Sequence, residues 1–270
     1  MRYLRLEIPG TRLNLYPIVC WHIGARQSSL PFIQKVIKTI ASDPHGRWIY
    51  MGDAGECVLK SSKGSVYEQL IPPGEQLKVA TELLMPIRKQ GLFGIRGNHG
   101  NRIDKETGMG WDETFCTLLG IPYMGIEALV QLQFSTTGRK ALSVSLYAHH
   151  GRATATTPGG KMNAAHKPES LVAADIILTG HTHVAGEAWP SKLMAYLHPR
   201  KREIQWMRMR SFVCGSAYDS RIEGYATEAM LPPLMPEHLR IKIKVWQPHG
   251  GKPLFLGVTY DKIELESCPP

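Results

Sequence analysis

Apolar runs that stop at a glycine-flanked polar turn constrain this chain more than any other feature. Residues 15–20, 47–51 and 92–95 are short, largely apolar and of strand length. They end in Cys20-Trp21-His22, Gly52-Asp53 and Gly97-Asn98-His99. A fourth run, 142–148, ends in His149-His150-Gly151, and a fifth, 175–178, in Gly180-His181-Thr182-His183. Ligand-binding side chains of open α/β sheets gather at the carboxyl ends of strands. The glycines permit tight turns and unusual backbone angles there. The five turns are expected to converge on one crevice.

Taken singly, each turn has an ordinary explanation. Gly-Asp is commonly an Asx-turn or a helix cap. Asn98 suits any turn, and a lone histidine at a strand end is more often a hydrogen-bonded core residue. His181-x-His183 is stronger, because alternation along a strand would project both rings the same way. Two imidazoles on one face suit a divalent transition metal. In succession with the other turns, coincidence becomes a poor explanation.

Between the first three runs lie two amphipathic stretches. Ser29-Leu30-Pro31 opens a helix to about residue 40, with Ile33, Val36, Ile37 and Ile40 apolar. Pro73-Gly74-Glu75 opens another to about residue 89, with Leu77, Ala80, Leu83 and Leu84 on one side. Strand, turn, helix, strand favours an α/β layered fold with a mostly parallel first sheet. Farther on, 128–134, 142–148, 175–178, 204–209, 239–245 and 254–265 read as strands, and 151–161 as a loop. A second, largely antiparallel sheet would absorb them. The expected architecture is a four-layer α-β-β-α sandwich, two mixed sheets face to face with helices outside. One domain would span 1–270, with the motifs in 15–190 and the remainder completing strands and substrate-side loops.

Composition narrows the partners. The N-terminal MRYLRLEIPG has no apolar core of signal-peptide type. No apolar run approaches the roughly 18 residues that span a bilayer, so a cytoplasmic protein without membrane contact is expected. Five unpatterned cysteines argue for reduced thiols. A net charge of +9 draws anionic substrates, nucleic acid and nucleotides among them. The densest basic cluster, around His198 to Arg202, is read as a solvated loop and strand edge. His45, His166, His198, His238 and His249 are read as loop histidines without partner spacing.

The ordered set of turns over residues 20–183 resembles the signature of the calcineurin-like metallophosphoesterases. The stretch 20–125 is also similar to small phosphoesterases encoded by bacteriophages, which would act in the bacterial host cytoplasm. The resemblance implies a hydrolase for phosphomonoesters or phosphodiesters with two divalent transition-metal ions, Mn first, with Zn, Fe or Ni as alternatives. It implies that His22 and His183, with Cys20, hold one ion, and that Asn98, His150 and His181 hold the other. Asp53 would bridge the pair and His99 would face the phosphate. His150 is preferred to His149 because it stands directly before glycine. Two such cations lower the pKa of a shared water and clamp phosphoryl oxygens during in-line attack.

This sequence departs from that pattern twice. Cys20 stands where the family carries Asp, either as a thiolate ligand for a softer metal or as an inert buried thiol. The second case gives the alternative function, a weakened enzyme or a non-catalytic binding protein. Gly100 stands where an acidic residue usually follows the Asn-His pair. Arg102, close behind, is a candidate phosphate contact, and Glu56 a candidate acceptor behind the ligands.

Overall fold

The computed structural model describes residues 1–62, 65–135, 142–152, 157–165, 167–198, 201–223, 232–246 and 255–265. The chain runs β1 (Arg2–Pro9), β2 (Arg12–Ile18), α1 (Leu30–Ser42), β3 (Gly46–Tyr50), α2 (Pro73–Leu84), β4 (Gly91–Gly94), α3 (Gly100–Thr107) and α4 (Trp111–Leu119). There follow β5 (Glu127–Ser135), β6 (Leu142–His149), α5 (Pro158–Ala165), α6 (Lys167–Leu171), β7 (Ile176–Thr179), β8 (Ala185–Ala188), β9 (Ser191–His198) and β10 (Lys201–Arg208). β11 (Arg210–Ser216), β12 (Glu237–Trp246) and β13 (Phe255–Glu264) complete it.

Two sheets form, packed face to face and linked along one edge by a short ladder. One is ordered β13-β12-β2-β3-β4; the other is β1-β5-β6-β7-β11, with β8 on β11. Among the described residues, the ladder between them pairs Gly215 and Ser216 of β11 with His238 and Glu237 of β12. β9 and β10 pair with each other as a separate ribbon.

Period-two alternation sorts the layers. Leu13, Leu15 and Ile49 face Val130, Leu132, Leu146 and Leu178 in the core between the sheets. On the opposite face of the first sheet, Tyr16, Ile18, Trp48 and Tyr50 pack under Phe32, Val36, Leu77 and Phe115 of α1, α2 and α4. Tyr147 and Ile177 form a smaller cluster with Met209 on the second sheet. The protein is an α/β sandwich of two mixed sheets.

Three local expectations need correction. The second sheet is not largely antiparallel: β1-β5, β6-β7 and β7-β11 are parallel. Parallel neighbours need long crossovers, and α5 with α6 supplies the one between β6 and β7. The end of the 151–161 stretch is the start of α5 rather than loop, while 153–156 lie outside the described residues. β12 and β13 join the first sheet, not the second. α3 and α4 are short helices, each ending at a left-handed glycine, Gly108 and Gly120. His166 and His249 lie outside the described residues.

His238 is a core residue of β12, not a loop histidine. It is 1% exposed, its Nδ1–H donates to the Cys214 carbonyl (3.0 Å), and its Nε2 accepts from Trp21 Nε1–H (2.8 Å). Its ring stacks on Phe32. Burial pushes its pKa from 6.5 down to about 4. The unfolded chain takes up this proton near 6.5, while the folded protein refuses it until about 4. Stability from this group is therefore full above pH 6.5 and declines as pH falls through that window, by on the order of 3 kcal/mol. His238→Gln should flatten the fall in urea midpoint between pH 6.5 and 4. An unchanged slope in the variant would remove His238 from the account.

Candidate metal centre

The turns after β2, β3, β4, β6 and β7 meet at one end of the sandwich, and their backbones are forced into unusual shapes to do so. Among the described residues, six non-glycine positions have positive φ: Cys20, His22, Asp53, Cys57, His181 and His183. Five of these are candidate ligands. Such conformations cost of order 1–3 kcal/mol each and persist where the surroundings over-determine them, typically at functional sites. His181 and His183 follow β7 with φ of 67° and 60°. Their proximity comes from this left-handed turn, not from the strand alternation inferred from sequence.

Backbone bonds lock the turns together. Cys20 N–H donates to the Gly52 carbonyl (3.1 Å) and His22 N–H to that of Asp53 (3.0 Å). Gly180 N–H donates to the His150 carbonyl (2.9 Å). His99 N–H donates to Asp53 Oδ1 (2.8 Å), leaving Oδ2 to face inward.

In both halves of the site, one ring nitrogen is fixed as a donor to the outside and the other faces inward. His150 Nδ1–H donates to the Met51 carbonyl (2.6 Å). Its Nε2 then stands 2.8 Å from Asn98 Oδ1 and 2.9 Å from Asp53 Oδ2. His22 Nδ1–H donates to Glu56 Oε2 (2.8 Å), and its Nε2 stands 3.0 Å from His183 Nε2. Acceptor atoms thus crowd one another in a buried space. His181 Nδ1 is buried there without a hydrogen bond, and Asp53 Oδ2 has only the approach of His150 Nε2, a costly arrangement that a cation would relieve. The donor set fits a transition metal.

Three groups of side chains have ligand atoms within 4.8 Å of one another: Cys20-His22-His183, Cys20-Asp53-His150 and His22-Asp53-His99. Cys20 belongs to two of them, so its sulfur lies between the halves. It is fully buried and accepts the backbone N–H of His181. Burial, then the Asp53 carboxylate, pushes its thiol well above the ordinary range.

Burial opposes charge on Asp53, but His150, His99 and His22 outweigh it and hold the carboxyl well below its usual value. His150 is raised: Asp53 overcomes the burial that would lower it. His183 is driven well down by burial and then by His22, and His181 to about 4 by burial and then by His150. These two are neutral imidazoles at pH 7, the form that ligates metal.

His99 sits beside this cluster, its Nε2 4.0 Å from Asp53 Oδ2. Its Nδ1–H donates to the Glu56 carbonyl (2.6 Å), and Arg102 donates to Nε2 (3.2 Å). Burial lowers its pKa. Arg102 also reaches the Glu56 carbonyl at 3.4 Å. His149 lies apart from the cluster, its Nδ1 accepting from Gly151 N–H.

Sequence reasoning missed Tyr218, whose ring lies 5.3 Å from both His22 and His183. It also missed Asp112, a buried carboxylate beneath the Asp53 and Asn98 turns. Neither stands in a turn with a recognisable pattern.

No protein-family model matches the sequence, and no curated protein matches it. Among solved structures, a single-site mutant of Vps29 from Entamoeba histolytica aligns over 94% of this chain and 100% of its own, at 13% identity and a TM-score of 0.40. At that distance the likeness bears on no residue of the site. No helix among the described residues is long and apolar enough to cross a membrane. What the chain itself presents is an α/β sandwich carrying a buried cluster of histidine, aspartate and cysteine able to hold metal.

Proposed function

We propose that this protein is a phosphoesterase that works with two divalent transition-metal ions. One observation carries the reading: His22 Nε2 and His150 Nε2, their Nδ1–H groups committed outward, converge with His183 Nε2, Asn98 Oδ1 and Asp53 Oδ2 in a buried space. His22, His183 and Cys20 would hold one ion, Asn98, His150 and His181 the other, with Asp53 between them. Bound there, the ions supply charge for the phosphoryl oxygens and a nucleophilic water at neutral pH.

The chain's own residues do the rest. Glu56 and the Met51 carbonyl orient His22 and His150 so that Nε2 faces inward. Arg102 presents guanidinium donors that match a phosphate. His99 Nε2, which accepts from Arg102 at rest, would pass a proton to the leaving oxygen only after taking one up. The positive net charge favours anionic esters, including nucleotides and nucleic acid.

The second reading is a non-catalytic binding protein. Its support is Cys20, fully buried and held protonated where an acidic ligand is expected.

Metal content and hydrolysis of an aryl phosphomonoester and phosphodiester, with Mn or Zn added, separate the two. The wild type should bind cation and hydrolyse at least one ester. His99→Ala should retain the cation and lose about 10²–10⁴-fold in kcat, the range of a removed general acid. Cys20→Asp should gain activity if the thiol weakens the site and lose it if the thiol is a working ligand. Cation binding without hydrolysis in both wild type and Cys20→Asp would leave the binding-protein reading standing.

A further inference from the structure

We propose that Asp112 is a positioning residue for the cation site, tying together from α4 the turns that present Asp53 and Asn98. This rests on the two-cation reading given above.

The first support is spatial. A Cβ on Gly100 would stand 2.7 Å from Asp112 Cγ and overlap Asp112 Oδ2. The carboxylate therefore occupies the space into which a side chain at position 100 would extend.

The second is connectivity. Asp112 Oδ2 accepts from Gly97 N–H (3.2 Å), and Oδ1 accepts from the Tyr50 hydroxyl. The Tyr50 oxygen in turn accepts from Ala54 N–H (3.2 Å). Gly97 precedes Asn98, and Ala54 follows Asp53. One buried chain, Ala54 to Tyr50 to Asp112 to Gly97, thus ties together the two turns that present Asp53 and Asn98.

The third is cost. Asp112 is 1% exposed and Tyr50 0%. A carboxylate is expensive to bury without partners, and this one has Gly97 N–H on one oxygen and the Tyr50 hydroxyl on the other. Its place in the first turn of α4 gives it favourable helix-dipole surroundings.

The test titrates Mn into wild type, Asp112→Ala, Asp112→Asn and Tyr50→Phe by calorimetry. Amide hydrogen exchange across residues 52–55 and 96–99 is followed in the same proteins without metal. Asp112→Ala should raise the Mn dissociation constant about 10–100-fold, the usual effect of losing an outer partner, and speed exchange in both turns. Asp112→Asn, which keeps the shape and one acceptor, should fall between. The double variant Asp112→Ala with Gly100→Asp returns a carboxylate to the vacated space and should recover at least part of the lost affinity. Gly100→Asp alone should be damaging, because the space is filled.

Wild-type affinity and exchange in Asp112→Ala would overturn the proposal. So would equal losses in the single and double variants, since a merely structural residue would not be rescued from position 100. If the wild type binds no Mn, the two-cation reading fails separately. Exchange then decides: faster exchange in both turns keeps Asp112 as their tie, and unchanged exchange removes it.

Discussion

Asp53→Asn should abolish cross-site cation binding and lower metal-dependent ester hydrolysis by about 10³-fold or more. Asp53 is the one carboxylate in the inner cluster: Oδ1 is committed to the His99 amide, and Oδ2 faces His150. The amide removes a full negative charge from between two groups of imidazoles. Several kilocalories per mole of cation-derived stabilisation depend on that charge, and each 1.36 kcal/mol is a factor of ten in rate. The effect should also appear without substrate, as loss of the Mn-dependent rise in unfolding temperature. Glu56, whose carboxylate orients His22 from outside the cluster, should be less severe when made Gln. An Asp53→Asn protein that still binds Mn as tightly as wild type would end the two-cation proposal.

Gly97→Ala should be nearly as damaging, through shape alone. A Cβ there would overlap Asp53 Oδ1 and the Asp53 amide nitrogen, and stand 2.9 Å from Asp53 Cγ. The amide cannot move without moving the β3 turn, so one methyl group drives apart two turns that hold candidate ligands. Overpacking of this kind costs roughly 3 kcal/mol or more. For a chain of this size that is about 6–12 °C in unfolding temperature. Gly108→Ala is the control. Gly108 has φ of 72° but open space around it, so it should cost only about 1 kcal/mol of backbone strain. Equal losses in the two variants would show that crowding at Asp53 is not the cause.

The strand-end turns were legible because their signal is local. An apolar run, a glycine and a polar ligand type stand within a few residues of one another, and the turns after β2, β3, β4, β6 and β7 do meet. α1 and β3 were equally plain, being periodic and well punctuated. What stayed hidden depends on distant partners. Asp112 looks like any acid in the first turn of a helix, and only packing of α4 against the β4 turn gives it Gly97 and Tyr50. Tyr218 reaches His22 from nearly two hundred residues away in the chain. β1 is an edge strand whose sequence RYLRLEIP alternates, with no long apolar run before a glycine-flanked turn to mark it. It finds its place only by pairing in parallel with β5. His181 and His183 were singled out on a mistaken geometric ground, because φ cannot be read from residue type when the residue is not glycine.

The short edge ladder between the sheets gives any bound cation a mechanical meaning. Cys20, His22, Asp53 and Asn98 ride on the turns of one sheet, and His150, His181 and His183 on those of the other. Beside the apolar core that the sheets share, the ladder that links them edge to edge among the described residues is two residue pairs long. An ion gripped from both sides is a rivet through that joint, and it can be driven only after the joint has closed, because the unfolded chain offers no such set. At a hundredfold excess over its dissociation constant, such an ion would add about 2.7 kcal/mol to the folded state. A chelator should therefore act on this protein as a mild denaturant, and protease lifetime should track the supply of metal.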